Sequence, residues 1–443
     1  MGNEFTWGVA TSAYQIEGGR FEDGKVDSIW DTFSDKGQLP ESGDVACDHY
    51  HRYPDDIALM SQLGVDAYRM SIAWTRVVDN SGRVNPAGLA FYDGIIDALL
   101  AAGISPWITI YHWDLPQSLE DAGGWPDRHT IDAFDHYTNI VSNHFGNRVK
   151  NWITINEPWV AAMLGYREGV FAPGRTSMAD ALAAGHHLLL AHGRAVATIR
   201  ANVPDARVGI ALDCRPSRPA SANEADVAAN RHFDGFRNRW FFDPVFGLGY
   251  PQDMLNAYAT AGYLPSTRPD WLKDGDLETI AADIDFLGLN YYTSQTIAAG
   301  GEEVETATIQ PGPNPPAGYT DMGWAITPDG LRQYLGHLND TYAPPSIIIT
   351  ENGASFADAP GPDGQVRDLR RQRYLESHIE AIDQAIREGV AVDGYFLWSF
   401  LDNLEWTSGY AQRFGIVHVD HTSQTRTRKE SFDWYRRRIS RPR

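Results

Sequence analysis

Only two cysteines, Cys47 and Cys214, occur in 443 residues, too few for a disulfide framework. A single bridge between them stays open at this stage, although so little cysteine fits a reducing cytoplasm, the expected location. No stretch reaches the ~18 apolar residues of a membrane-spanning helix. The opening MGNEFTWGVATSAYQ lacks the basic-then-apolar order of a secretory leader. Met1-Gly2 with Thr6 formally matches a myristoylation pattern, but Phe5–Thr11 reads better as a buried first strand. Basic charge is also scarce, with 37 Lys and Arg against 58 Asp and Glu and a formal net charge of −21. Nucleic acid or an anionic membrane surface would need basic clusters, so neither is expected as a partner. Metal and cofactor signals are missing too. His186, His187 and His192 lack zinc-ligand spacing and a partnering Glu, and read as helix surface. Gly247-Leu248-Gly249 lacks the third glycine and the strand–helix context of a dinucleotide site.

What is present is a regular alternation. Apolar, β-branched runs mark eight strands: Thr6–Thr11, Ala67–Ile72, Pro106–Tyr111, Asn151–Ile155, Arg207–Leu212, Phe286–Asn290, Ile347–Thr350 and Gly394–Trp398. Between them, apolar residues at three- and four-residue spacing predict helices over Asp55–Leu63, Ala87–Ala102, Ile131–Phe145, Met178–Ala201, Pro328–Tyr342 and Asp368–Glu388. Near-continuous apolar strands separated by helices imply a parallel sheet covered on both faces. Eight such units predict an α/β fold, a (β/α)8 TIM barrel with extended βα loops, in one catalytic domain over 1–443. The Gly-, Pro- and Thr-rich stretch Ala298–Gly323 is read as an active-site loop rather than a domain boundary.

In such a barrel the C-terminal strand ends share one rim. Here they carry Gln15 and Glu17, Arg69, His112-Trp113-Asp114, Asn156-Glu157-Pro158, Asp213, Asn290-Tyr291-Tyr292, Glu351-Asn352-Gly353, and Trp398 shortly before Glu405-Trp406. Polar groups to bond hydroxyls, with indole faces for the apolar side of a ring, are what sugar recognition needs. Glu157 and Glu351, on strands four and seven, lie nearly opposite each other. Glycosidic cleavage needs one carboxylic acid for the leaving oxygen and one carboxylate for the developing oxocarbenium ion. At a separation of about 5–5.5 Å the second attacks directly and configuration is retained.

Several segments closely resemble glycoside hydrolase family 1. They are Phe5-Thr6-Trp7-Gly8-Val9-Ala10-Thr11-Ser12, Tyr14–Gly18, Tyr68–Trp74, Tyr111–Pro116, Thr154–Pro158, Ile349–Gly353, and Trp398–Trp406 with Arg413-Phe414-Gly415. They run in the family's order from the first residues to Asp420. The resemblance implies Glu157 as acid/base and Glu351 as nucleophile, with Arg69, Tyr292 and Asn290 in the catalytic group. It implies Gln15, His112, Asn156 and Glu405 as hydroxyl ligands and Trp398 as the platform beneath the ring. Trp113, Trp406 and Phe414 are expected to contact substrate, and Trp324 to wall the aglycone side. No metal or cofactor is implied. The expected activity is that of a retaining β-glucosidase, with β-galactosyl or β-fucosyl residues as further glycones. Small β-glucosides and cello-oligosaccharides are the expected partners, and assembly as a homo-oligomer stays open.

Glu405-Trp406 stands where relatives acting on 6-phosphoglycosides carry Ser, Lys and Tyr, so unphosphorylated substrates are expected. Three positions depart from the family pattern: Phe171 for His, Asp213 for Asn, and Val160 for a small residue. Asp213 is expected to raise the pKa of Glu157. Two other readings use the same residues: a mainly transglycosylating relative, and a non-catalytic sugar-binding relative, which would typically have lost one carboxylate.

Overall fold

The computed structural model describes residues 5–300, 308–310 and 317–441. Eight parallel strands close into a barrel: β1 (Thr6–Ala10), β2 (Ala67–Ser71), β3 (Ser105–Tyr111), β4 (Asn151–Asn156), β5 (Arg207–Cys214), β6 (Phe286–Tyr291), β7 (Ile347–Asn352) and β8 (Val392–Trp398). Each pairs with its neighbours in sequence order, and β1 closes the ring on β8, from Thr6 opposite Gly394 to Ala10 opposite Trp398. Every predicted strand lies within two residues of an observed one at each end.

Inside the barrel, inward side chains make a solid floor beneath the C-terminal rim. Trp107 of β3 packs between Phe286 of β6 and Phe396 of β8, with ring centroids 5.2 and 5.1 Å away. Ala10, Ala67 and Ala211 leave room for those rings in the same cluster, and Trp398 caps it. Gly353, just past β7, lies against the end of β8, where an added Cβ would sit 1.5 Å from the Trp398 carbonyl oxygen. Glycine there brings Glu351 and Trp398 to one rim.

The six predicted helices form, most with ends shifted by one or two residues. The first begins at His49 rather than Asp55, with Pro54 accommodated inside it. Helices Glu224–Asp234, Trp240–Val245 and Gln252–Thr260, between β5 and β6, and the closing Glu430–Ile439 were not anticipated. They are short, 6 to 11 residues, which leaves few turns over which a three- and four-residue repeat can show. Within Ala298–Gly323, Thr308–Gln310 pairs with Gln295–Ala298, while residues 301–307 and 311–316 of that predicted loop lie outside the described residues.

The three histidines correct the surface reading. His186, His187 and His192 are 0, 2 and 0% exposed, on the helix Met178–Asn202. His186 bonds Tyr250 Oη and Asp276, His187 meets the Trp125 carbonyl, and His192 meets Thr154 Oγ1. That helix packs both against the barrel and under the Asp276–Ile280 segment, so little of its circumference meets water. Cys47 and Cys214 are buried and unbridged. Among the described residues no helix is long and apolar enough to cross a membrane.

A buried ionic cluster fastens the segment after β8. Lys429 Nζ, 0% exposed, donates to Asp402 Oδ1 and Asp358 Oδ2, both at 2.9 Å. Arg413 donates to Asp402 Oδ2 at 3.0 Å, and Arg371 pairs with Asp358 and Asp368. Burial acts to raise Asp402, but Lys429, Arg371 and Arg413 outweigh it and hold the carboxylate ionised. Removing one partner of a buried pair leaves uncompensated charge, typically costing about 3–5 kcal/mol. Lys429→Met is therefore expected to lower stability by a few kcal/mol in urea unfolding. An unchanged midpoint would show that the cluster contributes no net stability.

Candidate active site

Arg69 stands at the centre of the site. It points inward from β2, 0% exposed, and reaches four neighbours on three other strands. Nη1 donates to Glu351 Oε1 at 2.6 Å and to the Thr350 carbonyl at 3.0 Å, Nη2 to Asn156 Oδ1 at 2.5 Å, and Nε to Thr109 Oγ1 at 3.2 Å. Glu351 takes a second hydrogen bond from Tyr292 Oη, 2.6 Å from its other oxygen.

Asn290, near the end of β6, holds Glu157 and lies opposite Glu351 in the strand register. Thr350 Oγ1 donates to its Oδ1 at 2.6 Å, which fixes the amide's orientation. Its Nδ2 then donates to Glu157 Oε1 at 2.7 Å and to Asn156 Oδ1 at 3.0 Å, and its backbone pairs in register with Glu351 of β7.

The electrostatics of the pair are asymmetric. Burial pushes Glu157 well above the usual carboxylate range, Asp213 and Glu351 add to it, and Asn290 and Arg237 only partly oppose it. Burial also raises Glu351, but Arg69 and Tyr292 stabilise its charge directly. A proton shared by the pair therefore resides on Glu157, as two close buried carboxyls require. Glu157 has φ +49°, and Trp113 and Trp406 beside it have +79° and +48°. Such backbone costs of order 1–3 kcal/mol per residue and collects at functional sites.

These groups open on a cavity of about 150 Å³ at the C-terminal rim. His112, Trp113, Glu157, Asn290, Tyr292, Trp324, Glu351, Trp398, Glu405, Trp406 and Phe414 line it, which brings together most of the predicted site. The His112 ring stacks on Trp398 at 5.9 Å and 17°, and burial next to Arg69 holds it neutral. Trp406 packs on Trp113 at 4.6 Å and on Trp30 at 4.4 Å. Trp113 Nε1 donates to the Asn156 carbonyl at 2.8 Å. Glu405 Oε2 is buried without a partner, and burial, then Glu351, pushes this carboxyl up to about 8.

Some predicted residues sit elsewhere. Arg69, Asn156 and Gln15 lie behind the wall rather than on it. Asn156 Nδ2 bonds His112 Nε2 at 3.1 Å, and Gln15 donates to Leu404 O at 2.8 Å while its Oε1 accepts from Ser12. Glu17 is a structural anchor, bonded to Arg76 Nε at 3.1 Å and Tyr92 Oη at 2.6 Å. Asp114 is committed to the Trp74 amide and does not reach the cavity. Sequence reasoning missed Trp159, Met322, Arg215 and Arg237, which line the side beyond Glu157. The unusual Asp213 was the available signal, because a buried carboxylate needs a counter-charge.

Comparison with known proteins agrees with this geometry. The family model described as Glycosyl hydrolase family 1 matches residues 1–442. Beta-glucosidase A of Thermotoga maritima is 45% identical over 436 residues, covering 97% of this chain and 96% of that one. The bifunctional beta-D-glucosidase/beta-D-fucosidase of Bifidobacterium breve is 42% identical, with 98 and 97% covered. The solved structure of the Thermotoga maritima beta-glucosidase in complex with deoxynojirimycin superposes with a TM-score of 0.93 at 43% identity, covering 99% of this chain and 98% of that one. The chain therefore belongs to glycosyl hydrolase family 1.

Proposed function

We propose that this chain is a retaining β-glucosidase that removes terminal non-reducing β-D-glucosyl residues, with Glu157 as acid/base and Glu351 as nucleophile. The observation that carries the reading is one cavity lined by both carboxyls, with Glu351 bonded to Arg69 and Tyr292 while burial and Asp213 raise Glu157. An ionised carboxylate facing a protonated one is what the double displacement of a retaining enzyme needs.

Each step follows from a proton or charge already in place. Glu351, ionised against Arg69 and Tyr292, attacks the anomeric carbon as Glu157 gives its proton to the departing oxygen. The C–O bond to the leaving group breaks and an ester to Glu351 forms. Forming the ester removes the Glu351 charge that helps keep Glu157 protonated, so Glu157 becomes the base for step two. It takes a proton from water, whose oxygen attacks the same carbon and releases Glu351, restoring the β configuration. Asn156, held by Arg69 and Asn290, presents its amide nitrogen toward His112, where a sugar hydroxyl would bond. Trp398 would lie beneath the ring, and Glu405 has an unpartnered oxygen for hydroxyls at the far end. Gln15 can serve as a ligand only by giving up its present partners.

Cello-oligosaccharides are the proposed natural substrates, and two free thiols fit a cytoplasmic setting. The bifunctional relative supports β-fucosides as further substrates. For rejection of 6-phosphoglycosides the physical reason changes. A carboxyl pushed up to about 8 is largely the neutral acid at pH 7, so charge repulsion is weaker than its sequence position implies. What disfavours phosphate is the lack of a cation beside Glu405. Among the described residues, the cations lining the cavity are Arg215 and Arg237, near Glu157.

On 4-nitrophenyl β-D-glucoside, Glu351→Gly is expected to lose at least about 10⁴-fold in kcat. Azide should restore turnover with α-glucosyl azide as product. Near-parental activity without azide would remove Glu351 from the nucleophile's role. The pH profile tests Asp213 separately. Its charge raises Glu157, so Asp213→Asn should lower that pKa and move the basic limb of kcat/KM to lower pH. A limb that stays in place or moves to higher pH would show that Asp213 does not tune the acid.

A further inference from the structure

The part of the cavity beyond Glu157 carries charge that the catalytic steps do not use. Arg237 is 6% exposed and pairs through Nη2 with Asp213 Oδ2 at the end of β5. Its guanidinium lies over Trp159, with Cζ 3.6 Å from the ring centre, and its Nη1 is buried with no partner. Arg215, two residues past Asp213, hangs over Trp324 with Cζ 5.8 Å from that ring's centre. Only its backbone is bonded, to Asn238; among the described residues its guanidinium has no ion pair or hydrogen bond. Arg237 is carried by a π-wound helical segment, Gly235–Arg239, a form that recurs at functional sites.

The charges on this wall do not balance. Asp213 answers one guanidinium, and Glu157 contributes no charge while it holds its proton. Among the described residues one positive charge remains, beside Trp159 and Trp324. Burial and the neighbouring Arg237 push Arg215 down to about 10, so it is still cationic at neutral pH but held there at a cost. Planar guanidinium forks suit carboxylates in particular.

We propose that the leaving-group side of this pocket is built for anionic aglycones, namely β-glucosides whose leaving group is a flat ring bearing a carboxylate. Arg215 and the free Nη1 of Arg237 are the donors, and Trp159 and Trp324 are the walls. The assignment rests on the glycosidase reading, because only Glu157's role as acid makes its side the leaving-group side.

The test compares 4-(carboxymethyl)phenyl β-D-glucoside with its neutral carboxamide, whose methylene spacer keeps the two leaving groups electronically alike. The parent is expected to favour the carboxylate by about tenfold in kcat/KM at low salt, as a charge-assisted pair predicts. The preference should shrink as salt rises. Arg215→Met should bring the ratio close to one, chiefly through KM, and Arg215→Lys should recover part of it. Binding of free 4-hydroxyphenylacetate against its amide, followed by tryptophan fluorescence, reads the same site without turnover. Equal cleavage of both glucosides, or a preference unchanged in Arg215→Met, would overturn the anionic site and leave the glycosidase reading intact. Salt-sensitive, Arg215-dependent binding of the acid by a protein that cleaves neither glucoside would overturn the glycosidase reading instead and keep the anion site.

Discussion

A guanidinium with no access to water holds this site together. Arg69 joins β2 to β3, β4 and β7 through Thr109, Asn156, Thr350 and Glu351, so one cation sets the spacing of the strand ends around it. Burying it is costly unless its donors are met. Carboxylate, backbone carbonyl, amide oxygen and hydroxyl partners meet them on three sides. Without Glu351 the cation would lose its counter-charge. Without the cation, Glu351 would follow burial and take up a proton. The ionisation of Glu351 and the geometry of the rim are thus one constraint.

The second carboxyl gains its proton from the same arrangement. Glu157 and Glu351 line one cavity, but only one of them bonds Arg69. Two negative charges facing one buried space repel each other, so one of them takes up a proton. The cation decides which carboxyl ionises, and Asp213 adds to the difference. The proposed acid and nucleophile are therefore distinguished by environment and not by residue type. Positive φ at Glu157 indicates that the fold holds the acid in a backbone state it would not choose alone.

Much of this was legible in the chain because strands buried on both faces have to be almost uniformly apolar. The end of each run is then a reliable marker for the polar residue that follows. That logic found Glu157, Glu351, His112 and Asn290. It failed where a side chain's partners are distant in sequence. His186, His187 and His192 resemble ordinary helix polarity, and only Tyr250, Asp276 and Thr154, 64, 90 and 38 residues away for His186 and His192, make burial tolerable. Gln15 and Glu17 sit at a strand end as the rim predicts, yet distant partners, Leu404 and Arg76, turn them away from the cavity. The helices between β5 and β6 escaped because none exceeds 11 residues, too few turns for a repeat to stand out.

The two halves of the pocket therefore differ in how they are encoded. Around Glu351 the groups come from strand ends whose positions the barrel dictates, so few arrangements are compatible with closure. Beyond Glu157 they come from Arg215, Arg237, Met322 and Trp324, on connections whose course the barrel does not fix. A change there alters which leaving group fits without disturbing the strand register that places the carboxylates. Asp213 is where the halves meet. It ends a barrel strand, faces the acid, and is paired with an arginine from the connecting helices. Through it, the residues proposed to select the leaving group also bear on the protonation of Glu157.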